Sequence, residues 1–204
     1  MIKRMLLGLA VALAIGSSGA CNAAIVVSGE FFPVTEQFTG DVAIGIYATS
    51  NVDTVILSYN VPTLFTNPAV ASFVSFEATN FGFGTETANV LSAPFAANRG
   101  FSGAAGNVPA IANQRLKVGE ITFSVSNAPA GQTEVGQFLN TGFDANFFQF
   151  NTSQGTVNAS NGLATVGNPS LGIQATAVPE PSSLGVLAIG LVASTFRGRR
   201  KRVA

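Results

Sequence analysis

Residues 41–61 read DVAIGIYATSNVDTVILSYNV. Over Asp41 to Thr49, apolar side chains fall on every second position, with Val42, Ile44, Ile46 and Ala48 on one face. A period of two is the signature of a half-buried strand, because successive side chains point to opposite faces of the backbone. A tight break at Ser50-Asn51 follows. Val52 to Val61 then starts a second run, with Val55, Leu57 and Tyr59 read onto one face.

Runs of the same kind recur on both sides. Ala24 to Ser28 precedes them. Ser72 to Ala78 follows, with Val74 and Phe76 set on the face opposite their neighbours. Leu116 to Ser126 directs Ile121, Phe123 and Val125 inward. Thr133 to Leu139, Phe147 to Asn151 and Gly172 to Thr176 complete the set. Between them lie Gly, Asn, Ser, Thr and Pro. The composition favours strands and turns, and no segment shows a convincing amphipathic helix. The expected fold is all-β: an antiparallel β-sandwich or jelly roll over residues 25–175, long enough to bury its own core. Residues 80–109 carry Phe81-Gly82-Phe83-Gly84 and Arg99-Gly100-Phe101-Ser102-Gly103, and read as long loops with one strand near Asn89 to Leu91. Thr152 to Pro169 reads as turn-rich and polar.

The chain's net charge of zero conceals an uneven distribution. Seven of ten bases lie at the two ends, leaving Arg99, Arg115 and Lys117 against nine acids between Ile25 and Ala177. An acidic domain lacks the basic footprint of a nucleic-acid binder. The chain has no histidine and one cysteine, which excludes Ser-His-Asp, Cys-His and His-ligated metal chemistry. No phosphate loop or dinucleotide fingerprint is present, and no cofactor is expected. The nine acids form no recognisable pair for glycoside chemistry. Asp41, Asn51 and Asp53 could supply part of a calcium site, although no Asp-x-Asp-x-Asp-Gly loop is present. Tyr47 and Tyr59 sit inside apparent strands, where core burial is their expected use. Phe73, Phe76, Phe123, Phe147, Phe148 and Phe150 read as core. Phe31, Phe32, Phe81, Phe83 and Phe101 lie in Gly- or Pro-punctuated stretches, where they either fold back over the core or make an exposed apolar patch. Asn151-Thr152-Ser153 and Asn158-Ala159-Ser160 match the glycosylation pattern, as this Asn-, Ser- and Thr-rich composition makes easy by chance.

Both ends read as targeting segments. Lys3 and Arg4, the apolar Met5 to Ile15, and the small residues Ser17 to Ala24 have the layout of a cleaved secretory signal over residues 1–24. Such a signal engages the Sec machinery and signal peptidase. Ser18-Gly19-Ala20 before Cys21 leaves lipidation as an alternative, although the usual Leu three residues before the cysteine is missing. Residues 176–204 combine three parts. Val178, Pro179, Glu180 and Pro181 form a turn whose prolines forbid an earlier helix start. An apolar run from Leu184 to Phe196 follows, then the basic cluster Arg197, Arg199, Arg200, Lys201 and Arg202. The thirteen residues of this run rise about 20 Å as a helix, against a bilayer core of about 30 Å. Transient membrane anchorage therefore fits better than a permanent transmembrane helix, and the basic cluster holds the C-terminus on the cytoplasmic side.

This tripartite tail resembles the PEP-CTERM sorting signal of Gram-negative bacteria. The resemblance implies export to the cell envelope or extracellular matrix. It also implies processing near the Pro-Glu-Pro motif by exosortase, an integral-membrane cysteine transpeptidase. A second, looser resemblance rests on GDVAIGIYATSNVDTVILSYNV (40–61) and RLKVGEITFSVSNAPAGQTEV (115–135), which are similar to the paired early strands and the later "l-x-x-i-x-F-x-v" strand of cohesin-type domains. It implies a nine-stranded jelly roll that binds another protein, and no binding-face residue carries over. The expectation is an exported, non-catalytic module for protein binding or cohesion. The alternative is a carbohydrate-binding or carbohydrate-active sandwich using a carboxylate pair, so the ligand is left open between protein and polysaccharide.

Overall fold

The computed structural model describes residues 22–88, 98–139 and 148–177. The helices expected at Met5 to Ile15 and Leu184 to Phe196, the strand near Asn89, and Phe147 lie outside the described residues. Fourteen strand segments are present among them. In order they are β1 (Ile25–Ser28), β2 (Phe31–Thr35), β3 (Gly40–Ser50), β4 (Thr54–Phe65), β5 (Ala71–Ala78), β6 (Phe83–Ala88) and β7 (Asn98–Ala104). Then come β8 (Val108–Ala110), β9 (Arg115–Val125), β10 (Gly131–Phe138), β11 (Gln149–Thr152), β12 (Gly155–Asn158), β13 (Ala164–Val166) and β14 (Ser170–Thr176). The first sheet runs β13-β1-β3-β9-β5. The second runs β12-β11-β4-β10-β14-β2, with β7 and β8 on the other side of β4 and β6 beyond β7. The two faces close on one core, as in a β-sandwich.

Three expectations need correction. The sandwich is not wholly antiparallel: β1 pairs β13 and β2 pairs β14 in parallel. Residues 80–109 are not mainly loop but carry β6, β7 and β8, with Phe101 fully buried. Their glycines hid the strands: a Cβ at Gly103 would press on Tyr59 and Phe81. The two runs of residues 41–61 do not pair with each other; β3 and β4 lie in opposite sheets, joined by Asn51 to Asp53. In addition, Thr152 to Pro169 contains two short strands, β12 and β13.

Strict alternation holds on β3, where Val42, Ile44, Ile46 and Ala48 are all buried. It fails elsewhere because the register shifts by one residue at Leu57, Val74, Val118 and Val135. An extra residue in one strand flips the faces that follow it. On β4 the buried set is therefore Ile56, then Tyr59 and Val61, and the inserted Leu57 is exposed with Val55 partly so. On β5, Phe73 and Phe76 pack on the core while Val74 is 49% exposed. On β9, Val118 and Ile121 both turn inward.

The core is aromatic. Phe65 meets Phe73 and Phe123 at centroid distances of 5.7 and 5.5 Å, and Phe101 meets Phe76 at 4.8 Å. Tyr59 packs between Phe81 at 5.0 Å and Phe150 at 5.8 Å. Its hydroxyl crosses the sandwich and donates to the Val118 carbonyl at 2.7 Å. A buried phenol needs such a partner. Burial pushes its pKa above the ordinary value.

The chain crosses from the first sheet to the second between β1 and β2, at Gly29. A Cβ there would strike the Ser170 carbonyl oxygen, which is backbone and cannot turn aside. Gly29→Ala should therefore destabilise the protein by about 2 kcal/mol, as overpacked sites do. Thr63 carries a fully buried hydroxyl with no hydrogen-bond partner, so Thr63→Val should stabilise it by about 1 kcal/mol. Denaturant midpoints of the two variants check both signs.

The two tyrosines also allow a clean titration, since there is no tryptophan. An unfolded tyrosine ionises near pH 10, and native Tyr59 resists doing so. Its contribution to stability is thus complete below pH 10 and is lost as the pH climbs from there toward the raised native value. Phenolate absorbance should rise in two stages, the second coinciding with loss of the strand circular-dichroism signal. Tyr59→Phe should abolish that second stage. Both phenols ionising in a still-folded protein would contradict the assignment.

Candidate functional site

The expected sorting residues Val178, Pro179, Glu180, Pro181, Arg197, Arg199, Arg200, Lys201 and Arg202 all lie outside the described residues. The structure does show where the tail departs. Thr176 pairs with Thr35, and its carbonyl accepts the Glu36 N–H at 2.9 Å. Ile25, at the other end of the domain, pairs with Ala164 and Ser50. The two chain ends therefore leave at opposite poles. The loops at the tail pole, residues 36–39, 66–70 and 126–130, carry Glu36 as their one charge. No helix among the described residues is long and apolar enough to cross a membrane.

The densest set of charged and polar groups sits where β1 leaves the first sheet. The Glu30 Oε1 accepts the Gly45 N–H at 2.9 Å and the Tyr47 hydroxyl at 3.3 Å. Its Oε2 lies 3.9 Å from Arg115, whose guanidinium stacks 3.6 Å over the Tyr47 ring and donates to the Gly29 carbonyl at 3.3 Å. Tyr47 is therefore on the outer face and not in the core as its strand position suggested. Its pKa is raised by burial and then by the Glu30 charge. Next along β9, Lys117 pairs with Glu120, and that hydrogen bond raises the lysine's pKa. Glu120 stands directly opposite Gly45 on one side and Glu77 on the other.

Glu30, Glu120 and Glu77 thus share one row. Glu30 and Glu120 are committed to neighbours on the same sheet, an arrangement suited to holding a crossover in place. Gly45 makes room for it, since a Cβ there would lie 2.8 Å from the Glu30 carboxylate. The set escaped a sequence reading because its members are up to 90 residues apart. The one available cue was a lone glutamate after a glycine at a strand end.

The proposed calcium ligands do not meet. Asp41 lies at the start of β3 near the tail pole, and Asn51 and Asp53 lie beyond its far end. Their side chains have structural uses there: Asp53 accepts the Ala112 N–H at 2.8 Å and Asn51 accepts the Ala24 N–H at 2.6 Å. Among the described residues no three Asp, Glu, His or Cys side chains gather as a metal site would require.

The outer face of the second sheet is different in kind. Across β12, β11, β4, β7 and β6 the registered positions are Asn158, Gln149, Asn60, Ser102 and Thr85. A parallel row links Thr156 to Asn151 at 2.8 Å and Asn151 to Ser58 at 2.8 Å, and Ser102 donates to Asn60 at 3.2 Å. The only charged residues of these five strands, Glu86 and Arg99, pair with each other on the inner side. There Arg99 lies 4.3 Å over the Phe73 ring and closes the gap between the two sheets. Phe83 projects from β6 on the same outer face as Thr85 and is 68% exposed. Of the phenylalanines in punctuated stretches, Phe101 is core, Phe32 and Phe81 pack against it, and Phe31 is half-buried over Gly172.

Residues 177–201 match the family described as the PEP-CTERM protein-sorting motif. No curated protein matches the chain. The solved structures to which the fold is similar include several cohesins. The sixth cohesin of scaffoldin B from Acetivibrio cellulolyticus, solved in complex with a Cel5 dockerin mutant, is 8% identical, over 75% of this chain and 99% of that one, at a TM-score of 0.49. The seventh ScaB type I cohesin from Pseudobacteroides cellulosolvens is 14% identical over 78% and 96%, at 0.46. A non-cellulosomal cohesin from the archaeon Archaeoglobus fulgidus is 11% identical over 80% and 97%, at 0.42. The chain carries a PEP-CTERM sorting motif directly after the last strand of a β-sandwich.

Proposed function

We propose that the chain is an exported, non-catalytic envelope or extracellular-matrix protein whose sandwich serves binding or cohesion, with a protein or a polysaccharide as ligand. Residues 1–24 direct it to the Sec machinery and are removed by signal peptidase. Residues 25–175 form the working domain. Residues 176–204 hold it at the inner membrane until exosortase cuts near Val178 to Pro181. The observation that carries this reading is the match of residues 177–201 to the sorting motif, starting one residue beyond the last strand.

That junction has a physical consequence. Only residues 177–183 separate β14 from the apolar run, so the domain stays within roughly 25 Å of the membrane while anchored. The cleavage motif would lie at the base of the domain, among loops with a single charge. A cut that starts the mature chain at Ile25 also removes Ala23, which is buried, and the Ala24 N–H bond to Asn51. Glu77 and Glu120 are acids opposite each other on β5 and β9. They stand on the outer face of a sheet, with Glu120 held by Lys117.

Intact mass and terminal peptide mapping of protein from its native envelope and medium test the reading. The expected product starts near Ile25 and ends between Val178 and Pro181. Pro179→Ala with Pro181→Ala should leave the uncut form in the membrane fraction. A product that retains Leu184 to Arg202 would make the tail an anchor, and release of reducing ends from a polysaccharide would make the protein an enzyme.

A further inference from the structure

Three features of the outer face of the second sheet belong together. First, it is neutral: the five strands β12, β11, β4, β7 and β6 direct no charge outward, although the domain has nine acids and three bases in all, Glu86 and Arg99 of these strands lying on the inner side. Second, it is rich in groups that both donate and accept hydrogen bonds. Asn158, Gln149, Asn60, Ser102 and Thr85 stand in register, one per strand. With strands about 4.8 Å apart the row is about 19 Å long. Each step is close to the advance of one pyranose unit along a glycan. Third, the large aromatic Phe83 stands at one end, two residues from Thr85 on the same strand face, opposite the small Ala104. It is the most exposed large apolar side chain among the described residues.

The chemistry of this face selects its occupant. Anionic polymers need a basic footprint, and none is offered. A protein partner wants a buried centre of Trp, Tyr, Met or Arg anchors; the row has none. Sugar hydroxyls are neutral, donate and accept at once, and pair with amides and hydroxyls. The apolar face of a sugar ring stacks on an aromatic edge residue. We propose that this face binds a neutral polysaccharide, with the chain lying across the strands over Asn158, Gln149, Asn60, Ser102 and Thr85 and one ring stacked on Phe83. The assignment rests on the non-catalytic, exported reading above and specifies its ligand.

Affinity electrophoresis of the protein isolated from its envelope tests this, in native gels cast with hydroxyethyl cellulose, galactomannan, laminarin or dextran, and with alginate as the anionic probe. At least one neutral polymer should retard the protein, and added salt should not reverse it. Phe83→Ala should weaken the retardation about tenfold, the loss of one good contact. Gln149→Ala should weaken it severalfold. Val74→Ala, exposed on the opposite sheet, should leave it unchanged. Phe83 is exposed enough that its loss should not unfold the domain; matching circular-dichroism spectra check that. Retardation by none of the neutral polymers, by alginate alone, or undiminished in a Phe83→Ala, Gln149→Ala double variant would overturn the assignment. Failure without sugar release leaves the exported, non-catalytic reading standing, whereas sugar release would remove that reading itself.

Discussion

Two lengths of chain, one from each end of the domain, run side by side in parallel and change sheets together. β1 and β13 belong to the first sheet, and β2 and β14 to the second. The seam between them is stitched by main-chain bonds: Ile25 N–H to Leu163, Gly167 N–H to Val27, Gly29 N–H to Asn168, Gly172 N–H to Glu30 and Glu36 N–H to Thr176, at 2.7–3.0 Å. A strand that switches sheets must bend sharply with another backbone close by, which is why Gly29 has no room for a side chain. The switch closes one flank of the sandwich and sends the two ends to opposite poles. It also has a local cost. Once β1 has left, no described strand pairs with β3 beyond Tyr47 on the side away from β9, and Glu30 takes up the Gly45 N–H that a neighbouring strand would have bonded. The charged cluster of the first sheet is thus a consequence of the seam, with Arg115 and Tyr47 holding Glu30 in place.

The opposite flank is closed by side chains. Between β5 and the β6–β7 pair, the Glu86–Arg99 ion pair lies against Phe73 and Phe65, so the core ends in a cation over aromatic faces. Inside, the phenylalanines and Tyr59 bridge the sheets. Burying each of the full-sized side chains Phe101, Phe123, Phe148 and Phe150 is worth roughly 1.5–3 kcal/mol. A domain with no disulfide available among its described residues depends on that burial. The one hydrogen bond from a core phenol, Tyr59 to Val118, ties β4 to β9 and reaches the inserted residue of β9.

Much of this was legible in the residues. β3 and the core half of β9 follow plain alternation, and Phe123, Phe148 and Phe150 are where the pattern put them. Alternation misplaces the faces of β4 and β5 for one reason: a period of two has no means of locating an inserted residue, and Leu57 and Val74 are both apolar and both insertions. β6 and β7 were hidden by glycine, which signals a turn when the real cause is close approach of another side chain. Parallel pairing of the ends was invisible because it joins residues about 140 apart. The tail was the reverse case. Its prolines, apolar run and arginines are local, and residues 177–201 match the sorting motif. The neutral row depends on register across five strands, and no local pattern encodes it.

The seam makes a direct demand on dynamics. Terminal strands that only lie against a finished sandwich fray, and their amides exchange through small local openings. Strands that close the sandwich can release their amides only when the whole domain opens. Native-state hydrogen exchange at the Gly167, Gly172 and Glu36 amides decides between these. The structure predicts that they exchange as slowly as the amides at the centre of β3 and β9, and that their protection falls in step with global stability when denaturant is added. Exchange orders of magnitude faster than in β3 and β9, insensitive to denaturant, would show that the paired ends are an appendage and not the closure of the fold.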